Sequence, residues 1–434
     1  MSPYLVAGLI LAVYLFLVFV MFKDWIPIVW ALVIMGVAIL VIAGGRNVAD
    51  YYKLVNDGML GVAGAIWIFI FGGVFARSQI ETGIVENIIK RAVELGGDRP
   101  LITVLLMAAA TAYVTTGSFL GGLMLTATIT IPIMVTLGIP AVAATTIHVM
   151  AATTTLLWWV QQWALLGTIT NGTKLEQMVP FLAVYTPIVG VITVAYILFQ
   201  FKVRGLAMRW TGSGAAAAAA ATSRIEKRVP AYALFAPIVP LVLILGFNVP
   251  VVVAFMIGVP VAVLLTHPGS GRSWAEVGPL LSRIYVKGLE DMAYVVALML
   301  GIGIVMQAAK FPYVAAPLTE TFKVITPSSP ILFVLFFGVL LLTATFRGPT
   351  MPWGMGAVTF AAIIATGKFP VLAVAALAAA YNQFSYVADP TCAGVVWPCG
   401  YAKVQVFDFM KSVFPWMFLI GLVGVILVPI MYGI

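Results

Sequence analysis

The sequence has few of the residues from which most enzyme active sites and metal centres are built. Charged residues make up 9% of the 434 positions, and there are only 2 histidines and 2 cysteines. His148 and His267 are too far apart for a zinc signature, and no HExxH motif, paired catalytic acids or Ser/His arrangement is present. Cys392 and Cys399 lie in apolar surroundings, which favours small core residues over a disulfide or a metal pair. These absences argue against an enzyme and against a resident metal cofactor.

Apolar residues dominate instead, at 63% of the chain. This composition is typical of a polytopic α-helical membrane protein, and the short alternating segments of a membrane β-barrel are missing. Residues 1–22 form a long apolar run with no basic region before it and no clear cleavage site, so we interpret them as a first membrane helix rather than a signal peptide. The net charge of +8 fits Lys and Arg at the cytoplasmic lipid surface, and we expect no nucleic-acid partner.

The second half of the chain repeats the first at an offset of 230 positions. Matched Gly and Pro residues carry the most weight, because Ala, Val and Leu coincide easily by chance in such a composition. We therefore predict two repeats, residues 1–201 and 231–434, joined by a basic linker at residues 202–230. The matched pairs are Gly58/Gly288, Ala63/Ala293, Gly73/Gly303, Pro100/Pro330, Val104/Val334, Leu105/Leu335, Thr115/Thr345, Thr136/Thr366, Pro140/Pro370 and Ala143/Ala373.

The linker sets the predicted orientation in the membrane. Its Lys and Arg residues are opposed only by Glu226, so the positive-inside rule places it in the cytoplasm. Polar, Gly-rich breaks at residues 116–121 and 346–352 predict re-entrant hairpins that turn back at mid-membrane. Each repeat then has about five transmembrane helices plus a re-entrant hairpin and a discontinuous helix. An odd number of crossings inverts one repeat relative to the other, so we predict an all-α polytopic membrane protein with two inverted repeats.

Small hydroxylated residues and glycines mark both predicted hairpin tips. The first tip reads TTGS at residues 115–118, and the second reads TFRGPT at residues 345–350. Hydroxyls and backbone groups can face an ion or a carboxylate there, and the half-helix N-termini that follow each tip suit an anion. The structural alternative is that Gly and Thr only mediate helix contacts, as they commonly do in membranes.

Two charged residues of the second repeat lie inside apolar runs, where a charge needs a partner or a role. Arg347 can bind a carboxylate through two parallel hydrogen bonds, or can form a structural pair with Asp389. Asp389, which precedes Pro390, can ligate Na⁺, relay a proton or neutralise Arg347. The predicted substrate-binding residues are Arg347, Thr116, Gly117, Ser118, Gly348, Thr350, Asn382 and Thr154, and the predicted ion-coupling residues are Asp389, Thr115, Thr345 and Ser385.

Other conspicuous residues have simpler interpretations. His148 lies on an apolar stretch and is more often a hydrogen-bonded core residue than a proton carrier. The tryptophans near the first helix break, Trp158, Trp159 and Trp163, are interpreted as packing residues or interfacial anchors. Residues 77–99 predict an amphipathic helix along the membrane surface. The charged residues at predicted helix ends, Arg77, Glu81, Glu290 and Asp291, are interpreted as surface charges.

Several segments resemble the ion transporter superfamily of secondary carriers. The stretch FGGVFARSQIETGIVENIIKRAVELGGDRP, followed by TTGSFLGGLMLTATITIPIM, is similar to the large membrane subunit of TRAP transporters, and so is GVVWPCGYAKV near the end. The same segments are similar to gluconate-permease and C4-dicarboxylate carriers. The resemblance covers residues from about 58 to 202 and from about 288 to 432. It implies cation-coupled movement of an organic anion by an elevator-like mechanism.

We therefore expect a secondary active transporter for a small, carboxylate-bearing organic anion, with Na⁺ or H⁺ as the coupling ion and no other cofactor. The alternative within the same clan is a cation/proton antiporter, which would need more mid-membrane acids than Asp389 alone. A channel would not need two discontinuous helices. The expected partners are the anion and the lipid of the cytoplasmic (inner) membrane, and a homodimer is compatible with the sequence. A TRAP system would add a small membrane subunit and a periplasmic binding protein.

Overall fold

The computed structural model describes residues 2–23, 25–96, 99–117, 119–170, 172–204, 229–327, 329–346, 348–354 and 356–434. Within these ranges all regular structure is helical. Short 3₁₀ helices occur at Leu156–Trp158, Ala231–Ile238, Trp274–Glu276 and Leu341–Ala344. The α-helices are α1 (Pro3–Phe22), α2 (Ile28–Ile42), α3 (Val48–Thr82), α4 (Ile84–Gly96), α5 (Pro100–Gly117), α6 (Phe119–Thr136), α7 (Ala141–Thr153), α8 (Val160–Ile169), α9 (Leu175–Val203), α10 (Val239–Phe247), α11 (Val251–Ser270), α12 (Val277–Lys310), α13 (Pro312–Ile325), α14 (Pro330–Leu340), α15 (Gly356–Ala365), α16 (Val371–Ala388), α17 (Ala393–Tyr401) and α18 (Val406–Tyr432).

The helices are long and apolar enough for a membrane. Seven helical spans among the described residues reach that length and hydropathy, which confirms the predicted polytopic all-α class. The spans differ in how far other helices cover them. In the span that contains α16 and α17, 89% of the 18-residue apolar stretch is buried inside the protein. In the span that contains α7, the share is 72%. The corresponding share is 44% for α3 and 39% for α9, so the two predicted discontinuous helices lie at the centre, shielded from lipid.

The order of helices in the second half matches the order in the first. Corresponding helices begin at offsets close to the 230 positions seen in the sequence, because the residues that start them, chiefly proline, recur at those positions. Thus α5 and α14 begin at Pro100 and Pro330, and α7 and α16 each follow a proline, at Pro140 and Pro370. The boundaries proposed for the repeats stay a prediction, since most of the linker, residues 205–228, lies outside the described residues.

The contact between α3 and α12 shows how the two halves are related. A Cβ on Gly58 would lie 2.9 Å from the carbonyl oxygen of Gly303, and a Cβ on Gly73 would lie 2.8 Å from that of Gly288. The two helices are therefore antiparallel and in close backbone contact. Gly58 is the repeat equivalent of Gly288, and Gly73 is the repeat equivalent of Gly303. Exchanging the two repeats therefore turns the contact between Gly58 and Gly303 into the contact between Gly288 and Gly73. Such reciprocity is the mark of a two-fold axis, and antiparallel equivalents are what inverted repeats require.

We expect Gly303→Ala to destabilise the protein through this contact. The added methyl would overlap the carbonyl oxygen of Gly58 and would lie 2.9 Å from Cγ2 of Val62. Overpacking of this kind costs about 1–3 kcal/mol. Gly61→Ala is the matched control on α3, because no heavy atom lies within 4 Å of a Cβ there. Unfolding in detergent should show a lower free energy for Gly303→Ala only, and equal stability of the two variants would contradict the close contact.

α3 is longer than its apolar run. The polar residues 48–57 form its first turns, and it runs on to Thr82, into the stretch 77–99 predicted as one amphipathic helix, before α4 begins. Glu81, interpreted as a surface charge, is only 12% exposed in its side chain. It accepts hydrogen bonds from Arg77 and pairs with Arg283 at 3.1 Å and Lys287 at 3.6 Å. The charges of α3 and α12 therefore form an ionic cluster that joins the two helices. The mostly apolar buried face of α4 agrees with the predicted amphipathic helix.

Candidate functional site

The first discontinuous helix breaks between α7 and α8 without proline or glycine. Its backbone is interrupted from Thr154 to Trp159, with a 3₁₀ turn in the middle. Threonine hydroxyls there bond to backbone carbonyls: Thr153 donates to Met150 at 2.9 Å, and Thr155 donates to Ala112 of α5 at 2.7 Å. Thr153 thus satisfies a carbonyl in the last turn of α7, and Thr155 joins the break to α5, so threonines stabilise a break inside a membrane.

The second break, between α16 and α17, depends on a proline and a buried carboxylate. Pro390 disfavours helical conformation at the preceding residue, and Asp389 is extended at φ −102° and ψ 112°. The Asp389 side chain is fully buried, and its Oδ1 accepts hydrogen bonds from the Thr391 amide at 2.8 Å and the Thr391 hydroxyl at 2.7 Å. The carboxylate therefore orders the turn that leads into α17.

The first hairpin tip is where α5 ends at Gly117 and α6 begins at Phe119. The Thr115 hydroxyl lies 3.1 Å from the Ala152 carbonyl and 3.0 Å from the Thr155 hydroxyl, which joins the tip to the first helix break. Thr116 donates to the Tyr113 carbonyl at 2.6 Å. These two predicted ligand residues are therefore bonded within the protein. Ser118 lies outside the described residues, so its predicted role stays a prediction.

The second hairpin is more irregular than the first. After α14 and a 3₁₀ turn, no α-helix is present among the described residues until α15 begins at Gly356. Phe346 has a φ of +52°, a conformation that is strained for a bulky residue. A Cβ on Gly348 would overlap the Thr343 carbonyl, so only glycine fits there. The Thr350 hydroxyl lies 3.0 Å from that of Thr343, and Thr345 donates to the Leu342 carbonyl at 3.0 Å. Arg347 lies outside the described residues.

Buried amides join the two discontinuous helices. Gln383 of α16 donates to the carbonyl of Thr153 at 2.8 Å, and these two positions are repeat equivalents. Asn382 donates to Gln162 of α8 at 2.8 Å. Ser385 bonds to the Asn382 carbonyl within its own helix, and Thr154 bonds to Thr193 of α9. Asn382, a predicted substrate residue, thus belongs to a polar contact that crosses between the repeats.

Aromatic side chains bring both hairpins and both breaks together. Trp159 of the first break stacks on Trp353 of the second hairpin, with ring centroids 5.7 Å apart and planes inclined by 16°. Phe69 of α3 packs edge-on against both rings. Phe119 of the first tip contacts Trp159 at 5.4 Å and Tyr386 of α16 at 4.6 Å. We call Phe69, Phe119, Trp159, Trp353 and Tyr386 the aromatic cluster.

A cavity of about 50 Å³ lies beside the aromatic cluster, and its surface is almost entirely apolar. One wall belongs to α12 and the others to α6, α16, α17, the first break and the second hairpin. A buried water needs roughly 10–15 Å³, so the cavity has room for a few waters and not for an organic molecule. The lining residues are Leu120, Trp159, Tyr294, Val295, Leu298, Trp353, Tyr386, Cys392 and Ala393.

Polar atoms without partners cluster in the same region. Among the described residues, the buried indole N–H groups of Trp159 and Trp353 have no hydrogen-bond acceptor, and neither does the side-chain amide nitrogen of Gln162. The amide oxygens of Gln161, Asn382 and Gln383 likewise have no donor within the described ranges. Buried polar groups in native proteins are nearly always paired, so these atoms are available to water, an ion or a ligand.

The sequence interpretation missed the aromatic cluster. Trp159 was interpreted as packing, although it stands at the repeat equivalent of Asp389, which was the one available signal. Phe69, Phe119 and Trp353 gave no signal, because each is one aromatic residue among many in an apolar run. His148 agrees with its interpretation as a core residue: it is buried, its Nδ1 lies 2.8 Å from the Thr130 hydroxyl and its Nε2 lies 3.0 Å from the Leu123 carbonyl. The described residues contain no group of His, Cys, Asp and Glu that could hold a metal ion.

Solved structures of membrane transporters share this fold. The YdaH transporter of Alcanivorax borkumensis matches with a TM-score of 0.60 and 15% sequence identity, over 88% of this chain and 88% of that one. MtrF of Neisseria gonorrhoeae, described as illuminating a class of antimetabolite efflux pumps, matches with a TM-score of 0.59 and 13% identity, over 90% of this chain and 84% of that one. No protein-family model and no curated protein matches the sequence. The resemblance to TRAP and gluconate-permease carriers is therefore not confirmed, and the likeness establishes the fold.

Proposed function

We propose that this protein is a secondary active transporter for a small organic anion. One observation carries the proposal: two hairpin ends and two helix breaks, one of each from either repeat, meet beside a single cavity at the centre of the helices. Broken helices that meet near mid-membrane are how many secondary transporters form a substrate site. The shared fold with membrane transporters supports the same class of function.

The unpartnered donors support an anion as the substrate. The indole groups of Trp159 and Trp353 are buried donors without an acceptor among the described residues, and Gln162 adds an amide donor nearby in sequence. Leaving such a donor unsatisfied costs about 1–3 kcal/mol, and a carboxylate would supply the missing acceptors. The cavity wall is apolar, so the carbon body of the anion would pack against the aromatic cluster. Arg347, one residue before Gly348 of the second hairpin, remains the predicted charged contact.

The position of the cavity also supports alternating access. Tyr294, Val295 and Leu298 belong to α12, which is held to α3 by close glycine contacts. The other walls belong to the hairpins and discontinuous helices. An organic anion can enter only if these two sides separate, because the space between them holds just a few waters. In an elevator-like transporter, one group of helices stays fixed while a second group carries the substrate across the membrane. Here α3 and α12 would form the fixed group, and the hairpins and discontinuous helices would form the moving group.

The coupling ion is proposed to be Na⁺ or H⁺, bound near the second break. Asp389 is a buried carboxylate beside broken helix, and the unpartnered amide oxygens of Asn382 and Gln383 lie on the helix that leads to it. Oxygen atoms of this kind suit a hard cation, while the carboxylate suits a proton. The inner membrane location is a proposal that follows from the same function, whereas a small membrane subunit and a periplasmic binding protein would be present only in a TRAP system.

Transport by the purified full chain in lipid vesicles tests the proposal. We expect radiolabelled aliphatic or aromatic carboxylates to exchange across the membrane only when the protein is present, and to accumulate under a Na⁺ or pH gradient. Arg347→Ala should weaken apparent affinity about 10- to 100-fold, because a hydrogen bond to a charged group contributes about 1.5–3 kcal/mol. Arg347→Lys keeps the charge without the planar fork and should be affected less. Arg46→Ala, at an exposed position before α3, is the control.

One outcome would contradict this function, and a second would contradict the role of Arg347. Cation/proton exchange that proceeds at full rate without any organic anion would favour the antiporter instead. If Arg347→Ala combined with Asp389→Ala restores transport of the same anion with near-normal affinity, Arg347 is a structural partner and the anion is held elsewhere. The donors of the aromatic cluster and the first hairpin tip would then be the remaining candidates.

A further inference from the structure

A groove separate from the candidate substrate site lies where the two repeats meet at one end of the helices. It has a volume of about 1050 Å³. Its walls are the start of α7, the end of α9, the segment between α17 and α18, and the first turns of α18. We call it the basic groove and define it by Arg204, Lys403, Lys411, Phe199 and Trp416.

Cations outnumber acids in the basic groove. Lys411 pairs weakly with Asp408, at 4.0 Å, and no described carboxylate lies within ion-pair distance of Arg204 or Lys403. Arg204 is held in place: its Nε donates to Gln200 at 2.8 Å, and Gln200 in turn donates to Ser412 at 3.1 Å. Its terminal guanidinium nitrogens have no acceptor among the described residues. The groove therefore presents an oriented guanidinium and an ammonium group to an anion.

The backbone at Lys403 closes the end of α17. Lys403 has a φ of +55°, its amide donates to the Gly400 carbonyl at 3.2 Å, and the Val404 amide donates to the Cys399 carbonyl at 2.8 Å. This is the hydrogen-bond pattern of a helix C-cap with a left-handed residue. The cap places Lys403 in the groove that also contains Arg204.

An apolar wall continues from the charged rim. Phe199, 44% exposed, packs against Trp416 with ring centroids 5.4 Å apart, and Val142 and Pro415 extend the same wall. Tryptophan is enriched at the membrane–water interface, where one end of the ring is wet and the other apolar. The basic groove thus combines a cationic rim with an apolar wall. Arg204 lies at the start of the basic linker, residues 202–230, so the predicted topology places this rim at the cytoplasmic leaflet.

We propose that the basic groove binds an anionic phospholipid of the cytoplasmic leaflet. The headgroup phosphate contacts Arg204 and Lys403, and an acyl chain lies along Phe199 and Trp416. A lipid accounts for both the cationic rim and the apolar wall of the groove, whereas a free phosphate would leave the apolar wall uncovered. Because the walls come from both repeats, the bound lipid would bridge them.

Quenching of tryptophan fluorescence tests this site in the full-length protein. The probes are phosphatidylglycerol and phosphatidylcholine with brominated acyl chains, each added at equal fraction to phosphatidylcholine vesicles that contain the protein. Subtracting the signal of a Trp416→Phe variant isolates the quenching of Trp416. We expect brominated phosphatidylglycerol to quench Trp416 at lower lipid fractions than brominated phosphatidylcholine. The double variant Arg204→Gln, Lys403→Gln should lower that preference about fivefold for each cation removed.

The matched control is the double variant Lys174→Gln, Lys310→Gln, which removes two exposed charges from the opposite surface in the predicted topology. It should keep the preference of the unmodified protein. Equal quenching by the two lipids, or a preference unchanged by Arg204→Gln, Lys403→Gln, would overturn the proposal. Loss of the preference on adding inorganic phosphate at constant ionic strength would also overturn it, because the groove would then be a free-anion site. None of these results depends on which anion the protein transports.

Discussion

Asp389→Asn should abolish accumulation of the transported anion against a gradient and leave exchange across the membrane intact. Asparagine matches aspartate in shape and can accept the same hydrogen bonds from Thr391, so the turn into α17 should be retained. What it loses is the negative charge, which is fully buried beside Pro390. A buried charge in a membrane protein is retained only with a partner or a role, and here we expect the role to be binding of Na⁺ or a proton.

Reconstituted vesicles provide the measurement, as the ratio of internal to external anion with and without a Na⁺ or pH gradient. Asp408→Asn is the matched control, since its side chain is 55% exposed at the start of α18. Thr391→Val separates structure from coupling, because it removes the hydroxyl that bonds to Asp389 and leaves the charge. Unchanged ion dependence in Asp389→Asn would eliminate the coupling role. An equal loss of accumulation in Thr391→Val would show that the turn, not the charge, matters.

Trp353→Phe should weaken substrate affinity about 10- to 100-fold, and Trp159→Phe should have a similar effect. Phenylalanine keeps an aromatic face for stacking and removes the five-membered ring of the indole with its N–H, which has no acceptor among the described residues. If a bound carboxylate accepts from these groups, the loss is that of a hydrogen bond to a charged group, about 1.5–3 kcal/mol. The measurement is the concentration dependence of exchange, so that apparent affinity is separated from maximal rate.

Trp163→Phe is the control for this prediction. Its indole nitrogen is also buried but already donates to the Leu157 carbonyl at 2.8 Å, so its removal should lower stability and leave substrate affinity unchanged. Thermal unfolding of all three variants completes the comparison. If Trp353→Phe and Trp159→Phe lose stability and keep normal affinity, the stacked pair is packing only, as the sequence first suggested.

The sequence predicted those elements whose backbone conformation is set by residues close by in the chain. Proline at helix starts, repeated glycines and the Asp-Pro pair each impose a backbone conformation on the residues around them, so the repeat and the second helix break could be located. The first break contains neither proline nor glycine, and the sequence marks it only by the role predicted for Thr154. The polar residues Asn47, Asp50 and Asp57 give no signal of a membrane helix, yet Asn47 caps α3 and the other two lie within it.

The structure brings predicted site residues of both repeats close together, but with hydrogen-bond partners that the sequence did not predict. Threonines 115 and 116 were expected to face a ligand, yet their hydroxyls bond to backbone carbonyls and to Thr155. The aromatic cluster joins residues that lie hundreds of positions apart in the chain, and no local sequence pattern predicts a contact over that separation. The roles of Arg347 and Ser118 stay predictions, because both residues lie outside the described residues.

The two discontinuous helices break at different points of the repeat. α7 ends at Thr153, but its counterpart α16 continues to Ala388, five residues past the equivalent position at Gln383. Five residues of helix extend about 7.5 Å. If the protein works by the proposed alternating access, exchanging the conformations of the two repeats would not give two identical states. We then expect the inward-facing and outward-facing states to differ in free energy, the empty protein to occupy mainly one of them, and inward and outward transport to have different apparent affinities.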